Sequence, residues 1–202
     1  MGDVTAIILA AGLSRRMGAR NKLLLPIGDT PMIRHVVDIY EEVTTQPILV
    51  VTGYQAEAVE AALAGSCART VFNPKFANGQ PTSVACGLRE AHGSMAVLIG
   101  LGDQPLLTGN DLRLLLTAHN AGDIDRISIP KQGDQRGNPI VVPAVLRELL
   151  LADEKSLGCK AFTRDHPEHI QFHELASAGF YTDVDTAESY EALKSYNPKV
   201  SQ

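Results

Sequence analysis

The chain has 202 residues, a mass of 21.7 kDa and a formal net charge of −5, with 45% hydrophobic and 20% charged residues. This apolar content supports one sizeable core, and the expected organisation is a single domain over residues 1–196 with a flexible C-terminal tail at 197–202. The acidic balance excludes a general nucleic-acid binder, so an anion site must be a local exception, and no apolar run reaches the ~18 residues of a membrane span.

The opening "MGDVTAIILAAG" lacks a basic leader region, and the expected location is the cytoplasm. Cys67, Cys86 and Cys159 are far apart and form no C-x-x-C pair, so they are expected to be reduced and mostly buried.

In chain order, "VTAIILAA" at 4–11 is a short unbroken apolar run, the pattern of a strand buried on both faces of a parallel sheet. The runs "QPILVVTG" at 46–53 and "MAVLIGLG" at 95–102 repeat it. Between them, residues 31–43, 55–65 and 82–92 carry apolar side chains at three- and four-residue intervals, which predicts helices. Alternating strand and helix predicts an α/β fold with a mostly parallel sheet and helices on both faces. A helix follows over 107–119, with Thr108 or Asn110 as N-cap. "RISIP" and "NPIVV", joined by "KQGDQRG", read as a hairpin or local antiparallel insertion. Helices at 143–151 and about 157–165, a strand near 179–184 and a helix from Ala187 complete the expected order.

Ligands of open α/β sheets bind beyond the carboxyl ends of the strands, so the loops after the apolar runs are the places to search. "LAAGLSRRMG" places Gly12 and Gly18 around Arg15 and Arg16, with Arg20 and Lys22 close behind, and positions 4–28 contain no Asp or Glu. Backbone amides freed by glycine and four cations within eight residues suit a polyphosphate. The loop matches neither the Walker A nor the G-x-G-x-x-G pattern, and its competing reading is a solvated basic turn. Asp103 in "GDQP" ends a buried strand, where one carboxylate suits Mg²⁺; an ordinary turn cap is the alternative. In "YTDVDT", Asp183 and Asp185 point to one side of an extended segment, and either is able to complete the metal site. Asp185 is also a candidate helix N-cap, unless Thr186 takes that place. Gly79, Thr82 and Ser83 precede a helix and offer amides and hydroxyls to an anion; Arg136, Gly137 and Asn138 form a second candidate wall. Neither wall is distinguishable from turn chemistry by composition. None of the six histidines falls in these loops, so no histidine-dependent catalysis is expected.

The segments "LAAGLSRRMGARNKLLLPIGDTPMI", "NPKFANGQPTSVACGL", "GDQPLLT", "GDQRGNPIVVP" and "DVDTAESYEAL" resemble, in order, those of nucleotidyltransferases of the molybdenum-cofactor type. The resemblance implies a Rossmann-like three-layer α/β/α nucleotidyltransferase fold. It further implies transfer of CMP from CTP to the terminal phosphate of molybdopterin or molybdenum cofactor, with Mg²⁺ as cofactor and a molybdenum hydroxylase as recipient of the product. On this basis the nucleotide loop comprises Leu9, Ala10, Ala11, Gly12, Ser14, Arg15, Arg16, Gly18 and Lys22, with Gly79, Thr82 and Ser83 beside it. Lys22, Arg16 and Asp103 take catalytic roles, Asp103 and Asp185 hold the metal, and Arg136, Gly137 and Asn138 face the acceptor. Ala10-Ala11-Gly12 matches the cytidine form of the loop. Gln80 and Pro81 depart from the family's Met and Ser, and Lys160 stands where the family has Arg. The alternatives are GTP or another phosphorylated acceptor, and a non-catalytic cofactor carrier or insertion chaperone.

Overall fold

The structure is a computed structural model that describes residues 3–18, 20–152 and 159–195. The expected tail at 197–202 and the first two residues of the helix expected at 157–165 lie outside them. The elements run β1 (Val4–Ala10), β2 (Pro26–Ile27), β3 (Thr30–Pro31), α1 (Met32–Glu41), β4 (Leu49–Thr52), α2 (Ala56–Ala62), β5 (Arg69–Phe72) and α3 (Gln80–Glu90). They continue with β6 (Ala96–Leu101), α4 (Gly109–Ala121), β7 (Ile127–Gln132), β8 (Gln135–Arg136), β9 (Ile140–Pro143), α5 (Ala144–Ala152), α6 (Cys159–Asp165), β10 (Ile170–Glu174) and α7 (Ala187–Ser195).

The main sheet has the order β10-β7-β9-β6-β1-β4-β5, with β8 paired to β7. On that path β9 alone opposes its neighbours; the β1–β6, β1–β4, β4–β5 and β7–β10 pairs are parallel. Side chains alternate across β1 and divide the core in two. Val4, Ala6, Ile8 and Ala10 pack with Val36, Tyr40, Val59, Leu112 and Leu115 of α1, α2 and α4. Ile7 faces Val84, Leu88, Leu146 and Phe162 of α3, α5 and α6. Burial on both faces explains why β1 reads as a continuous apolar run, and the result is a mixed, mostly parallel sheet with helices on either side.

The reversal of β9 decides where the chemistry converges. Because β9 pairs antiparallel with β6, with Ile99 opposite Ile140, the residues leading into β9 arrive at the edge where β1 and β6 end. Gly137 N–H donates to Pro130 O at 2.8 Å and Asn138 N–H to Phe180 O at 2.9 Å, which anchors this segment beside that edge. The expected antiparallel pairing of "RISIP" and "NPIVV" is the β7–β9 pair, Ser128 opposite Val141, with the short β7–β8 ladder, Lys131 opposite Arg136, formed inside the joining segment, and β9 goes on to pair with β6.

Besides the two-residue β2, β3 and β8, two longer strands escaped the sequence reading. β5 and β10 lie at the two edges, are only partly buried and carry Arg69, Gln171, His173 and Glu174 among their apolar residues. The strand expected near 179–184 is absent: Ala178–Phe180 form a 3-10 turn and residues 182–185 are irregular. Their polar backbone is satisfied by loops, with Val184 N–H donating to Asp103 O at 2.9 Å. Thr108 caps α4 and shares a capping box with Asp111, so Asn110 is not the cap. All three cysteines are free thiols, but Cys67 is exposed and Cys86 and Cys159 are intermediate, contrary to the expected burial. The Cys159 thiol itself is shielded, and burial pushes its pKa up to about 12.

Two features of the core generate tests. A Cβ on Gly100 would lie 1.8 Å from the Tyr40 hydroxyl, which is buried without a hydrogen-bond partner among the described residues. Gly100→Ala should therefore destabilise by about 2 kcal/mol or more in urea denaturation, whereas Tyr40→Phe should be neutral or stabilising and should recover part of the Gly100→Ala loss. Full additivity of the two changes would contradict this packing.

The second feature is Ser128, fully buried, whose hydroxyl is hydrogen-bonded by His119 Nδ1 at 2.8 Å, His173 Nε2 at 3.0 Å and Gln171 Nε2 at 3.0 Å. Burial lowers the pKa of both histidines below the ordinary 6.5. A lowered folded-state pKa means that the unfolded chain binds protons first, so this stability is complete above pH ~6.5 and falls on acidification below it. Denaturation midpoints should drop between about pH 6.5 and 5, less steeply in His119→Gln; an equal slope in the variant would refute the assignment.

Candidate active site

The site is built where β1 and β6 finish side by side, Leu9 opposite Leu101, with Gly102 N–H donating to Leu9 O at 3.1 Å. A Cβ on Gly102 would meet Ile33 at 2.8 Å, so glycine lets the chain turn against α1 and deliver Asp103. After β1, Ala11 is buried while Gly12 is exposed, with nothing within 4 Å of where its Cβ would stand. Ser14 adopts a left-handed conformation at φ 48°, a 3-10 turn spans Arg15–Met17, and Gly18 follows at φ 69°. Arg15 and Arg16 are exposed, while Met17 is buried with Met32, Val184 and Tyr190. The Tyr190 hydroxyl donates to Pro26 O at 2.7 Å, which holds α7 and the preceding Asp185 against this loop.

Lys22 is presented by a second 3-10 turn, Lys22–Leu24. Buried Asn21 caps it by accepting from Leu23 N–H at 3.1 Å, and Ser14 Oγ accepts from Lys22 N–H at 3.3 Å. Ser14 thus orders the loop internally. Asn21 was not singled out from the sequence; its position before a lone Lys and an apolar run was the available signal.

The Lys22 ammonium donates to Asp103 Oδ2 and, at 2.7 Å, to Asp185 Oδ1. Arg16 Nη1 donates to Asp185 Oδ2 at 2.5 Å. The Lys22 and Asp103 side chains are only 12% and 14% exposed, against 38% for Asp185 and 69% for Arg16. One pair is therefore enclosed and the other faces solvent. Burial raises the Asp103 pKa, opposed by Lys22. The hydrogen bond from Lys22 leads the lowering at Asp185, with Arg16 contributing. Thr186 Oγ1 accepts from Ser189 N–H at 3.2 Å and caps α7, which leaves the Asp185 carboxylate to the ion pairs. Asp183 lies nearby: carboxylate oxygens of Asp103, Asp183 and Asp185 fall within 4.8 Å of one another.

The wall of Gly79, Thr82 and Ser83 is more inward-looking than its sequence implied. Asn73 Nδ2 donates to Thr82 Oγ1 at 2.9 Å and to Ser83 Oγ at 3.0 Å, and Ser83 is buried. These hydroxyls brace the start of α3 rather than projecting freely toward a ligand. Gly79, at φ 101°, provides the entry into α3 that a side chain would strain.

Arg136, Gly137 and Asn138 line a cleft of about 870 Å³ with Gln80, Pro81 and Lys160. Its floor is apolar, formed by Leu9, Ile99, Leu101, Ile129 and Ile140, and Arg164, paired with Asp165, adds a third cation to a lining that also holds the Asp134 carboxylate. A Cβ at Gly137 would meet Phe180 O at 2.8 Å, so this close approach requires glycine. The Arg136 guanidinium stacks 4.9 Å from the Phe172 ring centroid. Gln104 Nε2 donates to the same Phe180 carbonyl that accepts from Asn138 N–H, which ties the "GDQP" and "RGNP" segments together. His35 touches the site's periphery through Pro105 O at 3.1 Å. Among the described residues, no helix is long and apolar enough to cross a membrane.

Comparison with known proteins places this architecture. A nucleotidyl transferase from Methanothermobacter thermautotroptrophicus superposes with a TM-score of 0.82 at 22% identity, covering 96% of this chain and 97% of that one. Rv0371c from Mycobacterium tuberculosis superposes at 0.77 with 25% identity, covering 96% and 98%. The chain is also 28% identical to nicotine blue oxidoreductase of Paenarthrobacter nicotinovorans, covering 96% of this chain and 100% of that protein. It is 38% identical over 125 residues to the bifunctional protein GlmU of Pelobacter propionicus, 60% of this chain but only 27% of that protein. The sequence profile of the MobA-like NTP transferase domain matches residues 6–170, and the chain belongs to that family.

Proposed function

We propose that the protein transfers CMP from CTP to the terminal phosphate of molybdopterin or molybdenum cofactor and releases pyrophosphate. The observation that carries this reading is the Lys22–Asp103–Asp185–Arg16 cluster at the ends of β1 and β6, beside a cleft with an apolar floor and a cationic rim. With a divalent cation bound the cluster would suit a triphosphate; the cleft suits a flat heterocyclic acceptor that ends in phosphate. Support for CTP comes from Ala10-Ala11-Gly12, and a molybdenum hydroxylase is the recipient that the acceptor implies.

An oxygen of the acceptor phosphate attacks the α-phosphorus of CTP; the new P–O bond forms as the bond to the β-phosphate bridge breaks, and the electron pair leaves with pyrophosphate. The attacking oxygen is already ionised near neutral pH, so alignment and charge neutralisation are the demands on the protein. Lys22 would place its ammonium on the α-phosphate, and Arg16 and Arg15 would hold the β- and γ-phosphates. Backbone amides around Gly12 and Gly18, with open space beside both glycines, would reach the phosphates. Arg136 and Asn138 would grip the acceptor, with Lys160 and Arg164 opposite.

The residues fit a divalent cation. Their donors are carboxylate oxygens, and Asp103 Oδ1 is buried without a hydrogen-bond partner among the described residues. Asp103 and Asp185, with Asp183 alongside, would hold Mg²⁺. Bound there, it would supply charge neutralisation for the phosphates and the departing pyrophosphate.

The full-length similarity to an oxidoreductase supports a second reading, redox chemistry on a heterocycle in the same cleft. Pyrophosphate release from each of the four NTPs, measured with Mg²⁺ and with or without molybdopterin, separates the two. Release should require CTP and molybdopterin together. Lys22→Ala and Asp103→Asn should each lower kcat/KM by about 10²–10³-fold, and Arg136→Ala should act mainly on the acceptor KM. Absence of turnover with CTP and molybdopterin would overturn the assignment.

A further inference from the structure

We propose that the Lys22 ammonium holds the seat of the divalent cation in the metal-free protein and vacates it when the cation binds, releasing Lys22 and Arg16 to the phosphates of the nucleotide. This rests on the reading of Asp103 and Asp185 as metal ligands. Three of the four oxygens that Asp103 and Asp185 would offer a cation are engaged by the protein's own cations. Lys22 bridges Asp103 Oδ2 and Asp185 Oδ1, and Arg16 occupies Asp185 Oδ2, so Asp103 Oδ1 alone of these four has no hydrogen-bond partner among the described residues.

Exchange, rather than addition, follows from charge and burial. An ammonium and a divalent ion cannot share the same two carboxylates without like charges in near contact. Nor can Asp103 stay enclosed without a counter-charge, because an unpaired buried carboxylate is strongly unfavourable. One cation must therefore replace another. Asn21 and Ser14 pin the backbone at Lys22, so the exchange falls to its four-carbon stem, which is intrinsically flexible, and the Arg16 side chain is 69% exposed.

The exchange makes metal and nucleotide mutually supportive. Three carboxylates face two cations in the metal-free cluster, a formal excess of one negative charge. A divalent cation reverses that sign and leaves Lys22 and Arg16 without carboxylate partners, which the polyphosphate would supply. Metal alone then binds against the eviction of Lys22, while metal with nucleotide binds with both cations re-engaged, and the coupling is reciprocal.

The test is Mn²⁺ affinity without nucleotide, read on the full chain by electron paramagnetic resonance and by the Mn²⁺-induced rise in melting temperature. Lys22→Met should bind Mn²⁺ at least tenfold more tightly than the parent, with a larger thermal shift, and the exposed Arg16→Met should bind it severalfold more tightly. Equal or weaker binding by folded Lys22→Met would overturn the exchange and leave the metal site standing. Should Lys22→Met fail to fold, Arg16→Met decides: unchanged Mn²⁺ affinity there overturns the proposal. Binding by neither parent nor variants would overturn the metal reading and the exchange together.

Discussion

The contact on which the site depends is the ammonium of Lys22 between the carboxylates of Asp103 and Asp185. It joins three distant stretches of chain: the loop after β1, the loop after β6 and the segment before α7. Asp103 is buried too deeply to stand without a counter-charge, and Lys22 supplies it from 81 residues away. Removing either partner would leave the other uncompensated in an enclosed setting, so the pair organises the site as well as equipping it for chemistry.

Everything around the pair holds it in register. Parallel pairing of β1 and β6 brings the two loops level, Asn21 and Ser14 fix the turn that presents Lys22, and Val184 N–H on Asp103 O draws the Asp185 segment across. The methionine and tyrosine cluster of Met17, Met32, Val184 and Tyr190 seals this arrangement from outside. The segment leading into the reversed strand β9 brings Arg136, Gly137 and Asn138 to the same edge, where we propose that nucleotide and acceptor meet.

Much of this was legible before the structure. The doubly buried strands announced themselves as apolar runs, and the glycine- and arginine-rich loop stood out because its neighbourhood lacks acids. Edge strands β5 and β10 were not legible, because half-exposed strands of mixed polarity lack both a continuous run and clean alternation. The segment at 179–184 misled because its apolar and β-branched residues resemble a strand, yet its amides are satisfied by neighbouring loops. The inward use of Thr82 and Ser83 was equally hidden, since nothing local indicates that Asn73 will claim both hydroxyls. Sequence spacing identified the charged residues; only packing showed that Lys22 already neutralises the proposed metal ligands.

Family membership and fold agree with nucleotidyl transfer, and the cleft lined by Arg136, Gly137 and Asn138 is the place we propose for the acceptor. The most direct measurement follows the label of α-³²P CTP with Mg²⁺ and molybdopterin. Transfer predicts that the label moves to the pterin product and that the released pyrophosphate is unlabelled. Retention of all label in CTP, with the pterin unmodified, would contradict the account.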